Sequence, residues 1–316
     1  MQKLRIAVLM GGPSSEYDVS LASGRMVCEN LNSGRYDIIP VHIDRGGEWA
    51  VSFEDLLGNI DLVFLALHGE FGEDGTMQRF LDDVGLPYTG SASHASALGM
   101  NKIASSKLFR AYGLDVPDWD EVTRHGDWAY FRTPFGYPAV VKPADRGSSL
   151  GVGIARSEFD LRESLCKVFE ISRNAMIQKY VSGREITCAV IEDERGELPL
   201  PPTEIIPKNS HLFDFDSKYQ PGASREITPA PITRRETEEV QRIAVAAHRI
   251  IGASGVSRTD MIISNDGRIY VLETNTLPGL TPTSLLPQAA NNIGLSNSTL
   301  LDKIIASAIR RYSNNS

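Results

Sequence analysis

The chain of 316 residues is 41% hydrophobic and 23% charged, a composition typical of globular proteins. This length predicts about two or three domains with hydrophobic cores, and the composition excludes wholesale disorder and fibrous architectures. Lysine and arginine total 32 against 40 acidic residues, so the net charge is -8. That balance argues against a generic binder of nucleic acid or of anionic membranes, although it permits a local basic pocket for a phosphate.

The three cysteines, Cys28, Cys166 and Cys188, are too few and too scattered to form a disulfide framework. None belongs to a C-x-x-C pair, so a structural zinc site is not expected. No apolar stretch has the 18 or more residues of a membrane span, and the N-terminus lacks a signal-peptide cleavage site. We therefore expect a reduced, soluble, cytoplasmic protein with no nucleic-acid or membrane partner.

The first ninety residues predict a βαβ unit with a mostly parallel sheet. Apolar runs at 4–10, 38–43 and 62–67 indicate strands, and the segment between the first two has helical spacing. Ser15 is the predicted cap of that helix. Because parallel strands place ligand loops at their carboxyl ends, we expect binding residues in 11–16 and 68–75.

The middle of the chain predicts a second α/β unit of roughly a hundred residues. A helix is expected over 100–112, and strands over 138–142 and 175–180. The glycine-rich loop 147–153 follows the first of these strands.

The last part of the chain predicts a third unit. A strand is expected over 185–191, followed by an irregular polar stretch over 207–231 and a helix with a capping box formed by Thr233 and Glu236. The predicted buried stripe of that helix consists of Val240, Ile243, Ala244, Ala247, Ile250 and Ile251.

A predicted β-hairpin near the C-terminus brings two acids together. Segments 256–263 and 268–273 flank Asn265-Asp266-Gly267, a strong turn signal. If the turn is centred between Asp266 and Gly267, Asp260 faces Glu273 across the ladder. The period of two then places Arg258 and Asn275 on the same face.

Two opposed carboxylates repel each other, with Cβ atoms roughly 4.5–5.5 Å apart, so removing one is expected to relieve strain. A divalent cation also relieves it, and all-oxygen ligands suit Mg²⁺ or Mn²⁺ rather than zinc. The alternative is a solvated surface with scattered charges. A one-residue slip in register would also turn one strand's side chains away.

Lys142 and the loop after it are a candidate phosphate site. Glycines let backbone N–H groups wrap a phosphate, and the lysine adds a positive charge. The chain contains no Walker A motif, and a flexible surface loop has a similar composition. Lys102 is uninformative in isolation, since most such lysines are merely exposed.

Taken in order, these motifs resemble those of the D-alanine–D-alanine ligases, members of the ATP-grasp superfamily. The resemblance spans nearly the whole chain. The matching segments are GGPSSEYDVS at 11–20, HGEFGEDGTMQ at 68–78, MNK at 100–102, VKPADRGSSLGVG at 141–153, GREIT at 183–187, KY at 218–219, SRTD at 257–260 and LETNTLPGLTPTSLLP at 272–287.

The resemblance implies a three-domain ATP-grasp architecture. An N-terminal parallel α/β domain at 1–95 is followed by two α+β domains, at 96–182 and 183–316, which clasp ATP. The implied reaction is ATP-dependent joining of two D-alanines through an acyl phosphate, with ATP as co-substrate, two Mg²⁺ ions (or Mn²⁺) as cofactors, and a homodimer as the assembly.

The resemblance also assigns site residues. The implied nucleotide contacts are Lys102, Lys142, Ser149, Gln178, Lys179, Val181, Glu185 and Lys218, with Glu185 as the ribose-binding acid. The implied metal ligands are Asp260, Glu273 and Asn275. The implied catalytic residues are Glu16, Ser148, Tyr219, Arg258 and Ser284, of which Glu16, Ser148 and Tyr219 form a hydrogen-bonded trio. The implied substrate positions are His68, Gly279 and Leu285, and His68 and Glu73 lie in a loop of the N-terminal domain to which we assign support rather than chemistry.

Two departures from the family pattern bear on the nucleotide and on a mobile lid expected over 207–222. Gln178 stands at the adenine-side position where many members have an acid, so the contact with the base is expected to be altered. Phe213 and Phe215 stand where some members have tyrosines.

Several other functions stay open at this stage. Another ATP-grasp ligase, including one that joins D-alanine to D-lactate, has the same motifs. A non-catalytic nucleotide-binding regulator would not need the acid pair. A nicotinamide-dependent oxidoreductase would carry a G-x-G-x-x-G fingerprint, which the first turn at 11–16 lacks.

Overall fold

The computed structural model describes residues 3–147, 150–207 and 224–313. The N-terminal part forms a three-stranded parallel sheet in the order β2-β1-β3. Its strands are β1 (Leu4–Gly11), β2 (Tyr36–Ile43) and β3 (Leu62–Leu65), and its helices are α1 (Tyr17–Asn30), α2 (Phe53–Leu56) and α3 (Thr76–Asp83). This confirms the predicted βαβ unit.

The predicted cap of α1 is wrong. Glu16 occupies the cap position without a capping hydrogen bond from its side chain, and the Ser15 hydroxyl donates instead to Glu70 at 3.3 Å. Glu16 therefore lies at the start of the helix, beside the predicted ligand loops.

The helix predicted over 100–112 is confirmed as α5 (Lys102–Ala111), and a separate helix that was not predicted, α4 (Ser93–Met100), precedes it. Asn101 separates them, because its backbone is extended and its side chain accepts a hydrogen bond from the Ala104 N–H. Lys102 is therefore the first residue of α5.

The middle sheet is antiparallel in the order β4-β7-β5-β6. It contains β4 (Trp119–Thr123), β5 (Ala139–Pro143), β6 (Gly153–Ala155) and β7 (Asn174–Lys179), with a 3-10 turn at Trp128–Tyr130 and helix α6 (Glu158–Ile171). Leu161, Leu165 and Val168 of α6 are fully buried in the same apolar cluster as Val141 and Ile177 of the sheet.

The third sheet has the order β11-β10-β8-β12-β13, with β9 paired to β8. The strands are β8 (Gly183–Asp193), β9 (Gly196–Pro199), β10 (Thr203–Pro207), β11 (Ser224–Ile227), β12 (Val256–Ser264) and β13 (Ile269–Asn275), and the helices are α7 (Arg234–Ile250), α8 (Leu285–Asn292) and α9 (Asn297–Ser313). Strand β11 lies within the stretch that was expected to be irregular. It was not predicted because its four residues show no apolar alternation.

The C-terminal helices join the third unit to the first. Leu300 and Ile304 of α9 are buried in one apolar cluster with Ile6 and Val8 of β1 and with Ile191 of β8. The predicted capping box of α7 is confirmed, and its buried stripe is correct except that Ile250 is only half-buried. None of the helices in the described ranges is long and apolar enough to cross a membrane.

The hairpin of β12 and β13 places Asp260 opposite Glu273 and Arg258 opposite Asn275, as predicted. The predicted turn centre between Asp266 and Gly267 is wrong, because next to the turn Ile263 pairs with Ile269, which centres the turn on Asp266. Uninterrupted pairing from that turn would set Asp260 against Leu272. A β-bulge after Asp260 adds one residue to β13 and brings Glu273 into register.

Glu192 near the end of β8 connects that strand to α7, to α9 and to the segment before β12. Its carboxylate accepts hydrogen bonds from Ser307 of α9 and the Gly255 N–H, and its Oε1 lies 3.2 Å from Nε2 of His248 on α7. Burial opposes ionisation, but these hydrogen bonds outweigh it and lower the pKa of Glu192 to about 2.

We expect Glu192→Gln to lower the free energy of unfolding by about 1–3 kcal/mol at pH 7, because charged hydrogen bonds are lost. The stabilisation is complete above the ordinary pKa of 4.5 and is lost as the pH falls towards about 2. Urea unfolding should therefore show a smaller difference from wild type at pH 3 than at pH 7. The exposed Glu194→Gln is the control, and an equal difference at both pH values would contradict the assignment.

Candidate active site

Two cavities lie beside each other along β12 and β13. The larger has a volume of about 620 Å³ and lies between the N-terminal loops and the segment 273–285. Of the predicted site residues, it brings together Glu16, His68, Arg258, Asn275, Gly279, Ser284 and Leu285.

The smaller cavity, of about 140 Å³, lies between the middle and third sheets. It is lined by the predicted nucleotide contacts Lys142, Gln178, Val181 and Glu185 and by the predicted metal ligand Asp260. Lys102 and Glu273 line both cavities. Lys179 lines neither, and its side chain is exposed at the end of β7.

Lys102 and Glu273 meet where the two cavities join. Nζ of Lys102 lies 3.3 Å from Oε2 of Glu273 and also donates to the Arg146 carbonyl. The lysine is only 7% exposed, so these oxygen partners compensate for the burial of its charge. A positive charge is thereby fixed at the boundary between the cavities.

Asp260 is paired with a second cation, Arg258, on the same strand. Nε and Nη2 of Arg258 each lie 2.9 Å from a carboxylate oxygen of Asp260, and the Thr187 hydroxyl donates to Oδ1 at 2.6 Å. Each acid thus has a basic partner, which offsets the repulsion that the sequence predicts between Asp260 and Glu273. Nearby, Oδ1 of Asn275 accepts the Leu277 N–H at 2.7 Å.

A buried polar chain supports the wall of the larger cavity formed by the N-terminal loops. Nδ1 of His68 lies 3.2 Å from Glu73, and its Nε2 lies 2.8 Å from the Ser23 hydroxyl. Ser23 in turn accepts the Leu280 N–H at 3.3 Å. Burial raises the pKa of Glu73, the hydrogen bond with His68 opposes this, and the charge of Glu16 raises it further. These hydrogen bonds join the 68–75 loop, through Ser23 of α1, to the segment beside Gly279.

The Gly279–Ser284 turn forms the opposite wall. The Ser284 hydroxyl accepts the Thr281 N–H at 3.0 Å, and a Cβ on Gly279 would lie only 2.7 Å from that hydroxyl oxygen. Glycine at 279 therefore lets the backbone approach Ser284 closely. Leu285 follows as the first residue of α8.

Glu70 and Arg146 form a connection that the sequence reasoning missed. Nη1 of Arg146 lies 2.7 Å from Oε1 of Glu70, and the hydroxyls of Ser14 and Ser15 donate to the other oxygen. The connection links the N-terminal loops to the start of the glycine-rich loop. The only available signal is the position of Glu70 in a loop at the carboxyl end of a parallel strand.

Glu226 on β11 is another lining residue that was missed. Burial raises the pKa of its carboxyl, while the hydrogen bond from Gln288 and the charge of Arg258 oppose the shift. It lies on a strand that the sequence did not predict.

Several predicted residues lie outside the described ranges: Ser148, Ser149, Phe213, Phe215, Lys218 and Tyr219. Nearly all of the expected lid at 207–222 lies there as well. The described neighbour Gly147 is close to Glu16, since a Cβ on Gly147 would lie 3.3 Å from Oε1 of Glu16. Glu16 is therefore adjacent to the loop that contains Ser148.

Comparison with known proteins gives matches over both parts of the chain. A family model described as "D-ala D-ala ligase C-terminus" matches residues 108–306, and one described as "D-ala D-ala ligase N-terminus" matches residues 5–57 and 50–91. A D-alanine–D-alanine ligase of Geotalea uraniireducens is 38% identical over 315 residues, which cover 98% of this chain and 97% of the relative.

Two solved structures share the fold over almost the whole chain. The VanG D-Ala:D-Ser ligase of Enterococcus faecalis has a TM-score of 0.86 and 33% identity, and the match covers 97% of this chain and 100% of that one. The D-alanine–D-alanine ligase of Bacillus anthracis complexed with ATP has a TM-score of 0.83 and 34% identity, with coverage of 99% and 100%.

We expect Glu16→Gln to lower the pKa of Glu73, because the substitution removes a nearby negative charge that disfavours ionisation of Glu73. Carbon-13 NMR titration of the glutamate carboxyls in the ligand-free protein measures this shift. Asp18→Asn, at an exposed carboxylate on the same helix, serves as the control. An unchanged pKa of Glu73 in Glu16→Gln would show that the two carboxyls are not coupled.

Proposed function

The chain belongs to the D-alanine–D-alanine ligase family, and from this premise we propose how its residues carry out the family's reaction. It is an ATP-dependent ligase with the three-domain ATP-grasp fold, and it joins two D-alanines with release of ADP and phosphate. The dipeptide is a precursor of peptidoglycan. We assign the larger cavity to the two amino acids and the smaller one to the nucleotide.

The observation that supports this assignment is the junction at Lys102 and Glu273. A ligase that activates a carboxylate must transfer a phosphoryl group from its nucleotide site to its amino-acid site. The two cavities share this pair of side chains, so reactants in each cavity meet beside a fixed positive charge. Such positioning and charge neutralisation are what phosphoryl transfer chiefly needs.

The first step forms an acyl phosphate. A carboxylate oxygen of the first D-alanine attacks the γ-phosphorus, and the bond from that phosphorus to the bridging oxygen breaks, which releases ADP. Lys102 and Lys142 offset the negative charge of the phosphates, and Arg258 orients the reacting carboxyl through its guanidinium group.

The second step forms the peptide bond. The amine of the second D-alanine loses a proton and attacks the carbonyl carbon, and phosphate leaves from the tetrahedral intermediate. Arg258 and the backbone N–H of Gly279 are the proposed donors to the oxyanion. Ser284 and Leu285 border the position of the second substrate, and Glu16 and His68 border that of the first.

The donor set suits a divalent metal. Asp260 and Glu273 present carboxylates from opposed strand positions, and Asn275 adds an amide oxygen two residues further along β13. All are oxygen ligands, which favours Mg²⁺, with Mn²⁺ as the alternative. Bound there, the metal would neutralise phosphate charge. Arg258 and Lys102 pair with these acids in the structure, so the residues fit a cationic group.

The organisation of the whole protein is proposed on the same basis. Domain boundaries at 1–95, 96–182 and 183–316 are supported by the three separate sheets, although the first and third units share a core. The homodimer and the cytoplasmic location remain predictions. Free Cys28, Cys166 and Cys188 agree with a reducing compartment.

Phosphate release from ATP, measured with and without D-alanine, tests the proposed function directly. We expect release to depend on D-alanine and to match the dipeptide formed, which mass spectrometry quantifies. Release without D-alanine, or no release at all, would favour a different phosphoryl acceptor or a non-catalytic nucleotide-binding protein.

We expect Glu273→Gln to abolish ligation while leaving the fold intact, because the variant loses an acid at the cavity junction. The free energy of unfolding should fall by about 1–2 kcal/mol rather than rise, since Lys102 loses its ionised partner. Steady-state rates in saturating Mg²⁺ and urea unfolding measure the two effects.

Glu163→Gln, an exposed position on α6, is the matched control for Glu273→Gln and should behave like wild type. Near-normal turnover of Glu273→Gln would contradict the metal-site assignment. Loss of activity together with loss of the fold would show instead that Glu273 acts structurally.

We expect the enzyme to prefer D-alanine over D-lactate as second substrate near neutral pH, and this preference to weaken in Tyr219→Phe. The phenol of Tyr219 is predicted to bond to Ser148 and through it to Glu16, a pattern associated with amine nucleophiles. One lost polar match costs about 1–3 kcal/mol, or roughly ten- to a hundredfold in selectivity. Competition scored by product mass, with D-serine as a third substrate, measures the preference, and mainly depsipeptide from wild type would refute it.

A further inference from the structure

The buried amide of Gln178 lies at one side of the smaller cavity. Gln178 is on β7, is 2% exposed, and pairs with Val140 of β5. Val140, Ile262 and Leu272 supply apolar side chains to the same cavity. The surroundings of this amide are therefore suited to a flat heteroaromatic group with few polar atoms.

The orientation of the Gln178 amide is set by Lys142. Nζ of Lys142 lies 2.9 Å from Oε1 of Gln178. An ammonium group donates hydrogen bonds and cannot accept them, so the carbonyl oxygen of the amide must face the lysine. The amide NH₂ is consequently turned away from Lys142.

That NH₂ group has no hydrogen-bond acceptor among the described residues. Buried polar atoms in folded proteins nearly always have a partner, and leaving a donor without one is costly. The unpartnered NH₂ of Gln178 is therefore complementary to a ligand that presents a hydrogen-bond acceptor.

We propose that Gln178 makes the nucleotide site accept 6-oxopurine triphosphates alongside ATP. The proposal rests on the proposed function in taking the smaller cavity as the nucleotide site. A 6-oxopurine presents a carbonyl oxygen where adenine presents an amino group. The Gln178 NH₂ can donate to that oxygen, whereas against an adenine amino group it opposes one donor with another.

An acid at position 178 reverses this preference. A glutamate paired with Lys142 through one oxygen presents its second oxygen to the base, and that oxygen accepts from the adenine amino group. Loss of one such buried match changes affinity by about ten- to a hundredfold. Gln178→Glu is therefore expected to move selectivity towards ATP by that factor.

The test is the ratio of the dissociation constants for ATP and ITP, measured by isothermal titration calorimetry with Mg²⁺ and without D-alanine. ITP carries hypoxanthine, so the pair differs only around position 6 of the purine. Both nucleotides have the same triphosphate, so a change of charge beside Lys142 cancels in the ratio. We expect wild type to bind ITP within about tenfold of ATP, and Gln178→Glu to disfavour ITP by a further ten- to a hundredfold.

Gln241→Glu makes the same substitution on α7, outside both cavities, and should leave the ratio unchanged. A wild type that binds ITP more than about tenfold more weakly than ATP would overturn the proposal, as would an unchanged ratio in Gln178→Glu. If that variant does not fold, the wild-type ratio alone decides. Because binding is measured without ligation, failure of the proposed reaction would appear separately, as absent dipeptide with both nucleotides.

Discussion

The ion pair between Lys102 and Glu273 is the contact on which the arrangement of both cavities depends. Its two side chains come from distant parts of the chain, one from the start of α5 and one from the end of β13. A buried ammonium group is tolerated only when oxygen atoms surround it, and here Glu273 and the Arg146 carbonyl provide them. The same two side chains border both cavities, so under the proposed assignment the amino acid and the nucleotide would meet beside this pair.

Two ion pairs balance the charges where the two cavities join. Arg258 and Asp260 neutralise each other along β12, while Lys102 and Glu273 do so between α5 and β13. The two ion pairs therefore offset the repulsion between Asp260 and Glu273 on the opposed strands. Under the proposed assignment, a polyphosphate would compete with the two acids for the cations, and a divalent metal would compete with the two cations for the acids. Each ligand would then release the groups that bind the other, so joint binding of nucleotide and metal is the proposed outcome.

Much of this could be read from the sequence because the relevant signals are local. The turn residues 265–267, the capping box at Thr233 and the apolar runs each predicted an element that the structure contains. The pairing of Asp260 with Glu273 was predicted from an assumed turn centre, yet the structure reaches it through a bulge that no local pattern encodes. Helix α4 was not predicted, and Asn101 separates it from the predicted helix α5.

Contacts between distant loops could not be predicted from the sequence, since predicting each one requires the folded positions of two segments. Glu70 and Arg146 are separated by 76 residues, and neither belongs to a pattern that points to the other. Their ion pair and the approach of Glu16 to Gly147 both connect N-terminal loops to the start of the glycine-rich loop. An acyl phosphate hydrolyses unless water is excluded, so the loop expected to cover the phosphates must be held in place while the first amino acid is bound. Under the proposed assignment, the contacts of Glu70 with Arg146 and of Glu16 with Gly147 would meet this requirement, because they anchor the start of that loop to the wall of the larger cavity.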